Sequence, residues 1–132
     1  MKKYYTFFTL FFFSIMSFGQ NSSISVEKLM EINNGSEIFE KMIQTTLPNI
    51  APERQIEFRK KADQIVNQKK MEAKKYFEKK YNQKEFDEIY AELAQEDRVS
   101  YSEKTTAFMK EWRGFKTEFQ IAFKEMYNSF QK

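Results

Sequence analysis

Cysteine and histidine are both absent from these 132 residues. The first absence excludes disulfides and thiolate nucleophiles. Together the two remove the commonest general base and most zinc ligand sets. Glycine and proline are scarce, at three and two residues. Serine triads, phosphate loops and dinucleotide fingerprints therefore have no counterpart, because Gly35 and Gly114 stand alone. Strand-type alternation and internal repeats are also missing. These absences point to a non-enzymatic, all-helical chain without cofactor or metal, whose stability rests on its core alone.

What is present begins with KKYYTFFTLFFFSIMSFGQ, residues 2 to 20. Lys2 and Lys3 precede an apolar run from Phe7 to Phe18, interrupted only by Thr9, Ser14 and Ser17. A dozen residues fall short of the roughly 20 that cross a bilayer, but they suit the apolar region of a signal peptide. Ser17 and Gly19 supply small side chains for a cut between Gly19 and Gln20, and no cysteine follows to carry a lipid. The expectation is a signal peptide over 1–19, then a single helical domain over 20–132, periplasmic or secreted, with no transmembrane segment after cleavage. Removing 19 of the 132 residues leaves 113, one domain's worth. The basic count falls from 22 to 20 against 19 acidic residues, a balance of +1. Nucleic acid is accordingly not an expected partner.

The expected domain reads as a compact bundle of about five helices, with a long third and a long C-terminal one. Val26, Leu29 and Met30 mark the first, with Ser25 as cap and Asn33-Asn34-Gly35 as stop. Ser36 is placed to cap the second, over Phe39, Met42, Ile43 and Leu47, which ends at Pro48. Pro52 opens the third, whose apolar stripe of Phe58, Ala62, Ile65, Ala73, Tyr76 and Phe77 runs to about Lys80. Asn82 and Glu85 have capping-box spacing, with Tyr81 and Phe86 at the staple positions, before a fourth helix buries Phe86, Ile89, Tyr90 and Leu93. Ser100 and Glu103 repeat that spacing ahead of a fifth. There Tyr101, Thr105, Phe108, Trp112, Phe115, Phe119, Ala122, Met126 and Phe130 form a seam of period 3.5. Gly114 lies within it, marking a close approach or a bend.

Charge is unevenly spread. Residues 59–84 carry ten basic and three acidic side chains, while residues 85–103 carry seven acidic and one basic. A turn at Asn82 is expected to fold these segments against each other. In the functional reading, Lys69, Lys70, Lys74, Lys75, Lys79 and Lys80 face an anionic surface such as lipid head groups or envelope polysaccharide. Glu85, Glu88, Glu92 and Glu96 share one broad helical face; read functionally, that row binds a hard cation or holds a raised-pKa acid, and otherwise it is the wet side of the helix. Trp112 and the tyrosines read as core and rim, with no convergent polar set to mark a ligand cleft.

VEKLMEINNGSEIFEKMI and YFEKKYNQKEFDEIYAEL resemble the opening and a later segment of the bacterial exported family catalogued as domain of unknown function 2059. The likeness covers roughly residues 26–93. Where that family carries a Phe-Tyr-x-Ser-Pro-x-Gly turn, this chain has IYAELAQEDRVSYSEK. The resemblance implies an all-helical exported domain and brings no established activity. The expected role is contact with another envelope component, a protein or an anionic surface. One alternative is a chaperone-like adaptor holding a client segment in a groove between the third and fifth helices. The other is an enzyme or cation-binding protein using the acidic row.

Overall fold

The computed structural model describes residues 23–97 and 100–131. The leader expected over 1–19, with its cut at Gly19 and Gln20, lies outside the described residues. Five α-helices follow in order: α1 Val26–Glu31, α2 Glu37–Thr46, α3 Gln55–Lys80, α4 Gln83–Leu93 and α5 Glu103–Phe130. Short 3-10 turns at Ile32–Asn34, Leu47–Asn49 and Pro52–Arg54 join the first three. There is no strand among the described residues, so the fold is the all-α bundle the sequence predicts, with its long third and last helices.

The two long helices run antiparallel and form the spine. Phe58 of α3 meets Phe123 and Phe130 of α5 at ring separations of 5.7 and 5.2 Å, and Phe77 meets Phe108 at 4.6 Å. Phe58, Phe77, Phe108 and Phe119 are fully buried. Each stabilises by about 1.5–3 kcal/mol relative to an exposed ring. The expected groove between the third and fifth helices is therefore not open, because this aromatic ladder fills it. Position 123, absent from the predicted seam, is buried where Ala122 is only half-buried. A helix of 3.6 residues per turn drifts off a 3.5 repeat over eight turns, so the buried face moves one residue on.

Helix ends follow local chemistry. Ser25 Oγ accepts from Lys28 N at 3.1 Å, as its spacing predicts. Asn82 Oδ1 accepts from Glu85 N at 2.9 Å while Glu85 Oε1 accepts from Asn82 N at 3.0 Å, a complete capping box. Two expected caps are corrected. Ser36 makes no cap bond to α2; its hydroxyl donates to Glu31 Oε1 at 2.8 Å instead. Ser102, not Ser100, caps α5, accepting from Thr105 N at 3.3 Å. The carboxylate facing that cap is Glu92 on α4, which accepts from Ser102 N and Oγ at 2.8 and 2.7 Å and from the Thr105 hydroxyl. Here the cap's acidic partner comes from a neighbouring helix, so spacing along the chain points to the wrong serine.

The stop after α1 has its own correction. Asn33 and Asn34 take the left-handed conformation, at φ 56° and 58°, whereas Gly35 has φ −56°. Gly35 is needed for space: an added Cβ would collide with the Met30 carbonyl and lie 3.0 Å from the Trp112 indole nitrogen. Gly114 marks neither a close approach nor a bend; an added Cβ there meets nothing, and α5 is continuous through it.

Candidate functional site

The six lysines singled out in the sequence do not form one free basic face. Lys70 Nζ lies 3.3 Å from Glu31 and Lys74 Nζ 2.5 Å from Glu27, both on α1. Lys69 reaches Glu72 at 3.4 Å and Glu118 on α5 at 3.7 Å. Lys80 pairs with Glu111 on α5, which pushes the lysine pKa up to about 12. The hydrogen bond from Lys74 likewise holds the Glu27 carboxyl below its usual range. Lys75 and Lys79 are exposed and make no ion pair among the described residues.

Nor do the basic and acidic segments pair across the Asn82 turn, as the charge pattern predicts. The basic helix finds its acids on α1, α2 and α5, with Arg59 bidentate to Glu40 of α2 at 2.8 Å for both bonds. The acidic row finds its cation on α5, where Lys104 lies 2.6 Å from Glu88 and 3.8 Å from Glu85. The reason is geometric: α4 packs on α1 and α5 rather than along α3. The row also disperses in use. Glu85 closes its own helix cap, Glu92 holds the start of α5, and Glu96 lies past the end of α4 at Leu93. No acidic cluster able to hold a metal occurs among the described residues.

The structure instead brings together a set that the sequence leaves scattered. A cleft of about 180 Å³ opens where the end of α1, the end of α4 and the first half of α5 meet. Leu29, Ile32, Leu93, Phe108 and Met109 supply its apolar wall. Trp112, Arg113, Lys116 and Asn33 supply its polar groups. Asn33 is fixed by its own amide, which donates to the Leu93 carbonyl at 3.1 Å and so ties α1 to α4. That bond, together with the left-handed turn, sets the width of the mouth.

The electrostatics of the cleft are one-sided. Arg113 and Lys116, one helical turn apart, make no ion pair among the described residues. Lys116 Nζ lies over the Trp112 ring, 5.4 Å from its centroid. Burial, and then the Arg113 charge, lower its pKa. The Trp112 indole N–H is buried without an acceptor. Such orphan donors are uncommon in folded proteins and cost about 1–3 kcal/mol.

No family model, curated protein or solved structure matches this chain. A larger, more open hollow of about 420 Å³ lies between α2 and α5 beside Met42, Phe123, Lys124 and Tyr127, but no charged group converges on it except Lys124. Among the described residues, no helix is long and apolar enough to cross a membrane. The sequence signal for the cleft is the stretch Trp112-Arg113-Gly114-Phe115-Lys116, two cations with no acid three or four residues C-terminal to either. Only the packing of α1 and α4 turns that stretch into a concave site.

Proposed function

We propose that this chain is an exported, non-catalytic helical protein that works by contact with another cell-envelope component, meeting it at the Trp112 cleft. The observation that carries the reading is the conjunction of an apolar wall with two unpaired cations and a buried donor lacking an acceptor. Cations such as Lys75, Lys79 and Lys124 also make no ion pair among the described residues; what sets Arg113 and Lys116 apart is the apolar wall and the buried donor beside them. Export rests on the basic start, the apolar run to Phe18 and the small residues at Ser17 and Gly19. Membership of the exported family named above belongs to the same proposal. A second contact surface is favoured by one observation: Lys75 and Lys79 stand unpaired on the outer face of α3, near the 57% exposed Met71, which suits an anionic envelope surface.

The test has two parts. Chain recovered from the envelope or medium should begin at Gln20, as read by N-terminal sequencing. Immobilised mature protein should retain an envelope component that the exposed-site variant Arg113→Glu does not. Recovery of the full-length chain from the cytoplasm, or equal retention by both proteins, contradicts the reading.

A further inference from the structure

The cleft's chemistry narrows what it takes. Both charged groups at the mouth, the Arg113 guanidinium and the Lys116 ammonium, are donors, and the buried Trp112 indole N–H in the wall is a third. The one amide there, Asn33, donates its N–H₂ to the Leu93 carbonyl, which leaves its uncharged Oδ1 as an acceptor in the lining. Two like charges held a turn apart, one of them partly desolvated, repel each other unless an anion lies between them. The negative ends of α1 and α4, which border the cleft, ease this repulsion but offer no full counter-charge. Across from the cations the wall is aliphatic and aromatic, so a bare inorganic anion leaves half of the site unused. At about 180 Å³ the cleft is below the roughly 300–1,000 Å³ of sites that enclose drug-sized ligands. It holds a ring or a short alkyl chain.

We propose that the Trp112 cleft is a binding site for a small organic carboxylate, whose apolar body packs between Leu29, Leu93 and Phe108 and whose carboxylate is taken by Arg113 and Lys116. Such a group has two sources, a free amphiphilic acid or the C-terminal apolar residue of a polypeptide. The inference rests on the contact-site reading above and names what that contact recognises. Arg113 supplies the fork geometry that a carboxylate fits, and Lys116 adds a point charge whose stem lies along the indole. A ring entering the cleft lies against Trp112, the chain's single tryptophan, which therefore reports on it.

The single indole N–H signal in a nitrogen-correlated proton spectrum makes the experiment simple. Purified mature protein is titrated with 3-phenylpropionate, with its neutral amide, with inorganic phosphate, and with a short peptide ending in Phe as free acid or as amide. The expected result is a saturable shift of the Trp112 signal with 3-phenylpropionate and at least about tenfold weaker binding of the amide and of phosphate. The double variant Arg113→Gln, Lys116→Gln should keep its thermal midpoint and lose the response. Binding of the free-acid peptide as tight as that of phenylpropionate identifies a chain end as the source; its failure identifies a free acid. Equal binding of acid and amide, an equal response to phosphate, or an unchanged response in the double variant overturns the proposal. Retention of an envelope component that depends on Arg113, without any response to a carboxylate, would sink this inference and leave the contact-site reading standing.

Discussion

Replacing Glu92 by alanine should be the most destabilising loss of a charged side chain on the α4–α5 junction. Its carboxylate accepts from Ser102 N and Oγ at 2.8 and 2.7 Å and from the hydroxyl of Thr105. Those groups differ in what happens once the acceptor is gone. Ser102 is exposed, so water takes over both of its bonds at small cost. Thr105 is fully buried, and its hydroxyl is left with only the longer contact to Ser102 Oγ at 3.2 Å, at a cost of about 1–3 kcal/mol. The carboxylate also faces the N-terminus of a 28-residue helix, an interaction worth about 0.3–1 kcal/mol. The sum is about 1.3–4 kcal/mol, a large part of the roughly 5–15 kcal/mol that a domain has. At roughly 4 °C per kcal/mol the thermal midpoint should fall by about 5–16 °C. Urea and thermal unfolding followed by circular dichroism measure both. Glu88→Ala, which removes only an exposed pair with Lys104, is the control and should change little. In a Thr105→Val background the buried hydroxyl is gone, so Glu92→Ala should cost clearly less than alone. Equal shifts for the Glu92 and Glu88 variants, or no coupling between positions 92 and 105, refute the reasoning.

Further outcomes are expected elsewhere. Asn82→Ala should lower stability by about 0.5–2 kcal/mol by opening the capping box. Gln83→Ala should also register, at about 0.5–1.5 kcal/mol, because the Gln83 amide donates to the Ile24 carbonyl at 2.8 Å and to Asp87 at 2.9 Å; a silent Gln83 variant in urea titration contradicts this. Gly114→Ala, at an exposed helical position where an added methyl meets nothing, should raise stability by about 0.5–1 kcal/mol in the same assay. The Lys80 pKa is raised from 10.5 to about 12 by its bond to Glu111, so the pair's contribution is complete below pH 10.5 and fades as pH climbs through about 12. The midpoint difference between the unaltered protein and Lys80→Met should hold steady up to the lower value and shrink toward the upper one; a difference that grows with pH reverses the assignment.

Much of the fold was legible because the sequence marks it locally. Asn82 with Glu85, Ser25, Pro52 and the long spacing without breakers each fix an end or a length from nearby residues. The misplacements share one physical cause, which is that the deciding partner lies far along the chain. Ser102 is chosen over Ser100 by Glu92 on another helix. Gly35 is required by the Met30 carbonyl and Trp112 rather than by its own φ. Gln83, at a first helical position that local rules leave facing water, is held by Ile24. The charge blocks at 59–84 and 85–103 were plain in the sequence, but pairing follows which helices pack, and α4 packs on α1 and α5. The cleft was the least legible feature. Arg113 and Lys116 read as ordinary surface cations until Asn33 and Leu93 close the other side.

The Trp112 cleft is where we propose that this chain meets another envelope component. The most direct measurement places a photo-reactive amino acid at Met109, which lines the cleft, and separately at Ile56, 86% exposed at the other end of the bundle. Cells expressing each full-length chain are illuminated, and the products are resolved by mass. A discrete cross-linked envelope species is expected from Met109, suppressed by Arg113→Glu, and none from Ile56. A species from Ile56 alone, or one from Met109 indifferent to Arg113→Glu, would contradict it.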